Sequence, residues 1–202
     1  FAGEARRQFS ALSVLAQTLA TELAEPVAEL ASLVLSTLRG GGKLLFCGNG
    51  GSAADAQHMA AEYVVRFNRE RQPMAAIALT TDTSVLTAAG NDFGFHRLFA
   101  RQVEALGRPG DLLVLHSTSG ESENLLEAAR AARALGLGTV ALSAKGGGRL
   151  AVEVDRCITV PTEVTARAQE VQLTIGHIVC DWVERALAVS AGDSPHSHPE
   201  TP

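Results

Sequence analysis

The sequence predicts an α/β fold, a five-stranded parallel sheet lying between two layers of helices and preceded by an N-terminal helical hairpin. Three observations predict it. Short, uninterrupted apolar runs recur from residue 44 to residue 160, as expected of strands buried on both faces. Stretches of helical periodicity separate them, which is the alternation of a parallel sheet. Two further helical stretches precede the first run with no strand between them.

Residues 4–23 carry Phe9, Leu12, Leu15, Ala16, Leu19 and Leu23 at spacings of three and four, which reads as a helix. Pro26 suits the first turn of a second helix, with Val27, Leu30, Leu33, Val34 and Leu38 on one face and Gly40-Gly41-Gly42 at its end. Two such helices cannot bury their stripes on their own, so they are expected to pack on the rest of the domain or on another subunit. Strands are expected at 44–47, 75–79, 111–115, 139–142 and 157–160. Helices are expected at 53–65, 84–89, 95–106, from the serine-rich turn near 120 through 135, and at 166–189. This divides the chain into an arm over 1–40, part of the same unit, a domain over 41–190 and a tail over 191–202. The tail, with His196 and His198, reads as disordered and solvated.

Composition narrows the function classes. A chain of 202 residues, 46% hydrophobic and 19% charged, is ample for one domain with a real core. The net charge of −5 and the lack of a basic block argue against a nucleic-acid partner. No apolar run approaches the roughly 20 residues that span a bilayer, so no membrane partner is expected. Cys47, Cys157 and Cys180 are odd in number and widely spaced, which suggests neither a disulfide framework nor a cysteine zinc site. A reducing, cytoplasmic setting is the simplest reading. No signal peptide is visible, and a start at Phe1 rather than Met leaves room for a few preceding residues.

Two loops leave expected strands at the carboxyl edge of the sheet, where ligands of open parallel sheets bind. The first is Gly48-Asn49-Gly50-Gly51-Ser52, whose glycines let backbone N–H groups approach a ligand at a helix start. Any tight strand-to-helix turn would also use glycine. The second, Ser117-Thr118-Ser119-Gly120-Glu121-Ser122, offers four hydroxyls at a helix N-terminus, which suits a phosphate. A plain N-cap at Ser119 or Ser122 needs only one of them. Neither loop has the Gly-Lys-Ser/Thr of a nucleotide-hydrolysing P-loop.

Taken with Gly90-Asn91-Asp92-Phe93-Gly94-Phe95, these loops resemble the sugar isomerase (SIS) domain family, and within it the isomerases of seven-carbon sugar phosphates. The likeness runs from about residue 40 to residue 187, and the N-terminal helices also fit. The resemblance implies that Ser117, Thr118, Ser119 and Ser122 hold the phosphate. It also implies that Asn49, Gly50, Gly51, Ser52, Asn91 and Asp92 meet the sugar.

His58, Glu62 and Arg66 are spaced i, i+4, i+8 on the expected helix after the first loop, near one face. A His and a carboxylate at i, i+4 can share a metal ion. A surface Glu62–Arg66 pair beside a partly exposed His58 is the plainer alternative. On the last helix, Gln169 and His177 lie among Val171, Leu173, Ile175, Ile178 and Val179, where a lone His usually serves packing. The resemblance implies instead a metal site of His58, Glu62, Gln169 and His177, with one zinc per subunit. Gln169 and His177 are eight residues apart, about 12 Å along a helix. A shared ion would need strongly converging side chains or a site built between subunits, and the resemblance implies a homotetramer.

The implied reaction is an aldose–ketose isomerisation of sedoheptulose 7-phosphate to D-glycero-D-manno-heptose 7-phosphate through an enediol, a step of heptose biosynthesis. It needs a base, an acid and a stabiliser of developing negative charge. Glu62 is the candidate base and His177 the candidate acid. Arg66 is a candidate for a sugar oxygen or for orienting Glu62, and Gln169 a further substrate contact. Because a metal-bound carboxylate is a weaker base, the two roles of Glu62 compete. Two departures stand out: Ala53 follows the Gly-Gly-Ser turn where some relatives carry a polar residue, and Ala166 lies where the family more often has an acidic one. Two rivals share the fold, a non-catalytic scaffold that binds the replication-initiator protein and a sugar-phosphate sensor. The retained Glu62 and His177 oppose the first, and the lack of a helix-turn-helix segment opposes the second.

Overall fold

The computed structural model describes residues 1–191, with side chains through residue 188; the tail, including His196 and His198, lies outside the described residues. Helices α1 (Ala2–Glu22) and α2 (Ala24–Arg39) come first, as the periodicity predicts. They meet at Leu23 alone, whose N–H bonds the Leu19 carbonyl and whose own carbonyl accepts from Val27, so the helical ladder nearly continues across the joint. Helix α2 buries Val27, Leu30, Ala31, Val34 and Leu35, whereas α1 has no fully buried residue.

Five parallel strands follow: β1 (Leu44–Gly48), β2 (Ala76–Ala78), β3 (Leu112–His116), β4 (Gly138–Ala144) and β5 (Arg156–Val160). Their spatial order is β2-β1-β3-β4-β5. Between them run α3 (Gly51–Val64), α4 (Thr83–Phe93), α5 (Leu98–Leu106), α6 (Glu123–Ala134) and the short α7 (Leu150–Glu153), and α8 (Thr165–Ala191) closes the fold. The 95–106 stretch, expected as one helix, opens as a 3-10 turn over Phe95–Arg97 before α5 begins. Helix α4 is longer than its periodicity suggests: the Asp82 carboxylate accepts from Val85 N and starts it one residue earlier, and it runs on to Phe93, where Gly94 at φ +85° ends it.

The strands alternate between two cores. Leu44, Phe46, Leu112, Val114, Val140 and Leu142 pack with residues of α2, α3 and α8 on one face. Leu45, Cys47, Leu113, Leu115 and Ala141 pack with residues of α4, α5, α6 and α7 on the other. Burial on both faces is why these strands read as unbroken apolar runs. Cys47, Cys157 and Cys180 are free. Among the described residues no helix is long and apolar enough to cross a membrane.

The chain passes from β1 outward to β2 and then returns to the other side of β1 as β3, so the order reverses between β1 and β3. Ligands of open parallel sheets bind in that crevice. Gly48 pairs with His116 in register, so the glycine and serine loops leave the sheet side by side.

Candidate active site

The two loops enclose a cavity of about 250 Å³ lined by Asn49, Gly51, Ser52, His116, Ser117, Thr118, Ser119, Ser122, Leu125, Thr165 and Gln169. Its shape depends on two glycines. Gly120 has φ +68°, and a Cβ there would lie 1.8 Å from the Gly147 carbonyl oxygen. At Gly51 a Cβ would come within 2.5 Å of the Gln169 amide nitrogen, so the bare backbone is what admits α8 to the wall. Gln169 Nε2 reaches toward Ser52 Oγ at 3.5 Å.

The serines divide their work. Ser117 Oγ accepts from Gly120 N at 3.0 Å and Ser119 Oγ accepts from Glu121 N at 3.2 Å, shaping the turn. Ser122 occupies the N-cap position of α6 without a side-chain capping bond. The plain capping reading therefore fails for Ser122, and its hydroxyl faces a cavity at a helix start, where the dipole favours an anion. Asn49 and Asn124 exchange amide hydrogen bonds of 2.9 and 2.8 Å, stitching the glycine loop to the helix behind the serine loop.

His116 closes β3 at the cavity floor, 1% exposed, with neither ring nitrogen partnered. Burial drives its pKa down to about 4, so the ring is neutral near pH 7.

A second constellation joins α3 to α8. His58 Nε2 lies 3.0 Å from His177 Nε2 and 3.0 Å from Glu62 Oε1, and the three ligand atoms all fall within 4.8 Å of one another. Zinc ligands at roughly 2.0–2.1 Å from the ion stand about 3.3 Å apart in a tetrahedron, so this donor set fits a metal ion. Burial and the neighbouring His58 lower the His177 pKa against the opposing pull of Glu62. Lowering it favours the neutral imidazole that a metal requires.

This cluster is braced from behind. Glu184 on α8 is fully buried and accepts from the backbone N–H groups of Phe67 (2.8 Å), Asn68 (2.9 Å) and Arg69 (3.1 Å) and from Arg71 Nε (3.0 Å). Burial alone would raise its pKa; the three N–H groups and Arg71 outweigh it and hold the carboxyl below its ordinary value. Arg71 also donates to the Glu62 carbonyl (2.6 Å) and the Tyr63 carbonyl (2.8 Å). The Phe67 ring stacks on His177 with centroids 5.0 Å apart and planes 23° apart.

Arg66 needs a correction. The i, i+4, i+8 reading puts it on the helix with His58 and Glu62, but α3 ends at Val64 and Arg66 is exposed in the loop beyond. The helix stops there because Arg71 takes its last carbonyls and the chain turns at Val65 (φ −91°, ψ −82°). Asn91 and Asp92 lie exposed near the end of α4, bonded to each other at 2.7 Å and outside the cavity lining. Gln169 faces Gly51 and Ser52, while His58, Glu62 and His177 bring their donor atoms together. Sequence reasoning missed Asn124, His116, Phe67, Arg71 and Glu184. Asn124 and Glu184 carried a weak signal, as polar residues on otherwise apolar helix faces.

Comparison with known proteins agrees with this fold. The SIS domain family matches residues 9–144. The phosphoheptose isomerase of Roseiflexus sp. (strain RS-1) is 55% identical over 178 residues, covering 88% of this chain and 90% of that protein. The solved phosphoheptose isomerase of Neisseria gonorrhoeae superposes with a TM-score of 0.86 at 44% identity, covering 91% of this chain and 98% of that one. That of Francisella tularensis superposes with a TM-score of 0.88 at 37% identity, covering 91% and 97%. The chain belongs to the SIS domain family and, within it, to the phosphoheptose isomerases.

Proposed function

We propose that the chain is an aldose–ketose isomerase that converts sedoheptulose 7-phosphate to D-glycero-D-manno-heptose 7-phosphate in heptose biosynthesis. The observation that carries the reading is the presence in one fold of a hydroxyl-lined cavity at a helix start and a His58–Glu62–His177 cluster whose donor atoms lie within 4.8 Å of one another. In this reading Ser117, Thr118, Ser119 and Ser122 bind the phosphate. Asn49, Gly50, Gly51, Ser52 and Gln169 bind the sugar. Glu62 takes the proton from the carbon beside the carbonyl as His177 gives one to the carbonyl oxygen, leaving an enediol. Glu62 then returns its proton to the neighbouring carbon while the other hydroxyl gives its proton back to His177. The charge that develops on oxygen makes a positioned donor worth several kcal/mol.

His58, Glu62 and His177 are the residues that would hold zinc, one ion per subunit; Gln169, whose amide is turned toward Ser52, would have to swing round to serve as a fourth donor. Bound there, the ion would supply Lewis-acid polarisation of a substrate oxygen.

Asn91, Asp92 and Arg66 enter the reading through a site shared between subunits of a cytoplasmic homotetramer, with residues 1–40 as the oligomerisation arm. Three features support assembly. Helix α1 buries no residue fully, although helices in proteins draw most of their stability from packing an apolar face. Phe9 and Val14 are exposed on it. An apolar groove of about 430 Å³ runs between the α1–α2 joint and α8, bordered by Ile178 and Trp182. The test is a product assay over a panel of ketose phosphates, with and without chelator, alongside sedimentation. Turnover of the seven-carbon ketose phosphate and a mass near four chains are expected. No aldose product from any member of the panel would overturn the activity, and a monomer would overturn the shared site.

A further inference from the structure

Arg71 and Glu184 form a buried ion pair whose geometry is unusual for a mere stabiliser. Buried pairs often contribute little net stability, because desolvation offsets their attraction. Here both partners spend their hydrogen bonds on the backbone that frames the acid–base pair. Arg71 holds the carbonyl of Glu62 itself and that of Tyr63, in the last turn of α3. Glu184 gathers the N–H groups of Phe67, Asn68 and Arg69, and so fixes the loop that lays Phe67 against His177. Glu184 also lies seven residues after His177, two turns along the same face of α8. The links close a circuit from Glu62 through Arg71 and Glu184 to α8, and from the loop through Phe67 to the His177 ring.

We propose that Arg71 and Glu184, with Phe67, are positioning residues that hold Glu62 and His177 in register for proton transfer and metal binding. The inference rests on the roles assigned above to Glu62 and His177. Without Arg71 the last carbonyls of α3 lose their fixed partner, and the turn bearing Glu62 is free to fray. A misplacement of about 1 Å at a reacting centre can cost 10²-fold in rate. The phosphate end stands outside this circuit, because the serine loop is held by its own bonds and by Asn49–Asn124.

The test uses Arg71→Lys, which keeps a positive charge but cannot span Glu184 and two carbonyls at once, and Phe67→Leu, which leaves the ion pair intact. Three quantities are measured: zinc affinity by competition with a chromophoric chelator, kcat at saturating zinc and substrate, and the inhibition constant of inorganic phosphate. For Arg71→Lys the expected results are zinc affinity lower by about 10- to 100-fold and kcat lower by at least tenfold. The phosphate constant should stay within twofold of wild type. Phe67→Leu should lower zinc affinity and kcat about threefold or more, again without moving the phosphate constant. A folded Arg71→Lys protein with zinc affinity and kcat within twofold of wild type overturns the proposal. So does an equal loss of phosphate binding, which marks general loosening. If Arg71→Lys does not fold, Phe67→Leu decides by the same criteria. A wild-type protein without isomerase activity would overturn the functional reading, and zinc affinity would still judge the clamp.

Discussion

The cavity proposed for the sugar phosphate takes most of its wall from two short segments, 49–52 and 116–122, at the carboxyl ends of β1 and β3. The His58–Glu62–His177 cluster instead brings His58 and His177 together across 119 residues of chain, on two helices that pack directly on each other at Met59 and Gly176 and are further tied by the loop from Phe67 to Arg71. The cavity is a product of local backbone geometry. A glycine at positive φ and hydroxyls at a helix start shape most of it, and Thr165 and Gln169 of α8 complete the wall. The cluster is a product of packing, so its precision depends on groups that touch neither sugar nor metal. Perturbations of the two regions should therefore separate cleanly, the first moving binding and the second moving chemistry.

The largest expected effect lies at the cluster. Glu62→Gln keeps the shape but removes the base, and a positioned proton-transfer group contributes typically 10²–10⁴-fold. We expect kcat for the ketose phosphate to fall by about that factor, with inorganic phosphate inhibiting as in the wild type. Full activity in Glu62→Gln would remove Glu62 from the mechanism and collapse the division between the regions.

The same division decides what could be read from the sequence. All five strands and the two loops that line the cavity were legible, because an unbroken apolar run and a glycine or serine cluster are local patterns. Leu112–His116 and Gly138–Ala144 fall within a few residues of the apolar runs that predicted them. The i, i+4 spacing of His58 and Glu62 allowed a shared metal ion but equally an ordinary surface pair, and His177 was joined to them only by resemblance, since nothing in its spacing sets it apart from a packed histidine. Arg66 shows the limit directly. Helical periodicity runs on through Val64 and Val65, and the residue that ends the helix, Arg71, lies six positions beyond Val65. No window of periodicity includes a guanidinium folding back onto carbonyls. The reciprocal amides of Asn49 and Asn124 escaped for the same reason, being 75 residues apart.

His116 gives a smaller, thermodynamic effect and belongs to the cavity side. Its folded pKa is about 4, against the ordinary 6.5. Between those values the unfolded chain binds the extra proton, so stability rises with pH through the window and falls as the solution is acidified. From pH 7 to pH 5 the loss from this one group is about 2 kcal/mol, and it approaches about 3 kcal/mol below pH 4. His116→Leu removes the titration and also the two unpartnered nitrogens. Urea unfolding at pH 7 and pH 5 should show a pH-dependent loss smaller by about 2 kcal/mol in the variant. An identical loss in both proteins would mean that the ring finds a partner on folding and is not the acid-sensitive element.

The finest distinction lies within the serine loop. Ser117 Oγ holds Gly120 N in a buried bond, whereas the Ser122 hydroxyl makes no capping bond. Ser117→Ala therefore removes a structural bond, costing about 1 kcal/mol or more of stability, and so should lower Tm measurably as well as weaken binding. Ser122→Ala removes only a hydroxyl that faces the cavity. Its Tm should match the wild type within about a degree, while KM for the sugar phosphate rises about tenfold or more, the weight of one hydrogen bond to a charged group. Parallel losses of Tm in the two variants would show that Ser122 serves the turn rather than the ligand. An unchanged KM in a stable Ser122→Ala protein would move the phosphate toward Thr118 and Ser119. Because both substitutions delete the same atom from one loop, the comparison isolates position from chemistry, and it does so without touching the cluster.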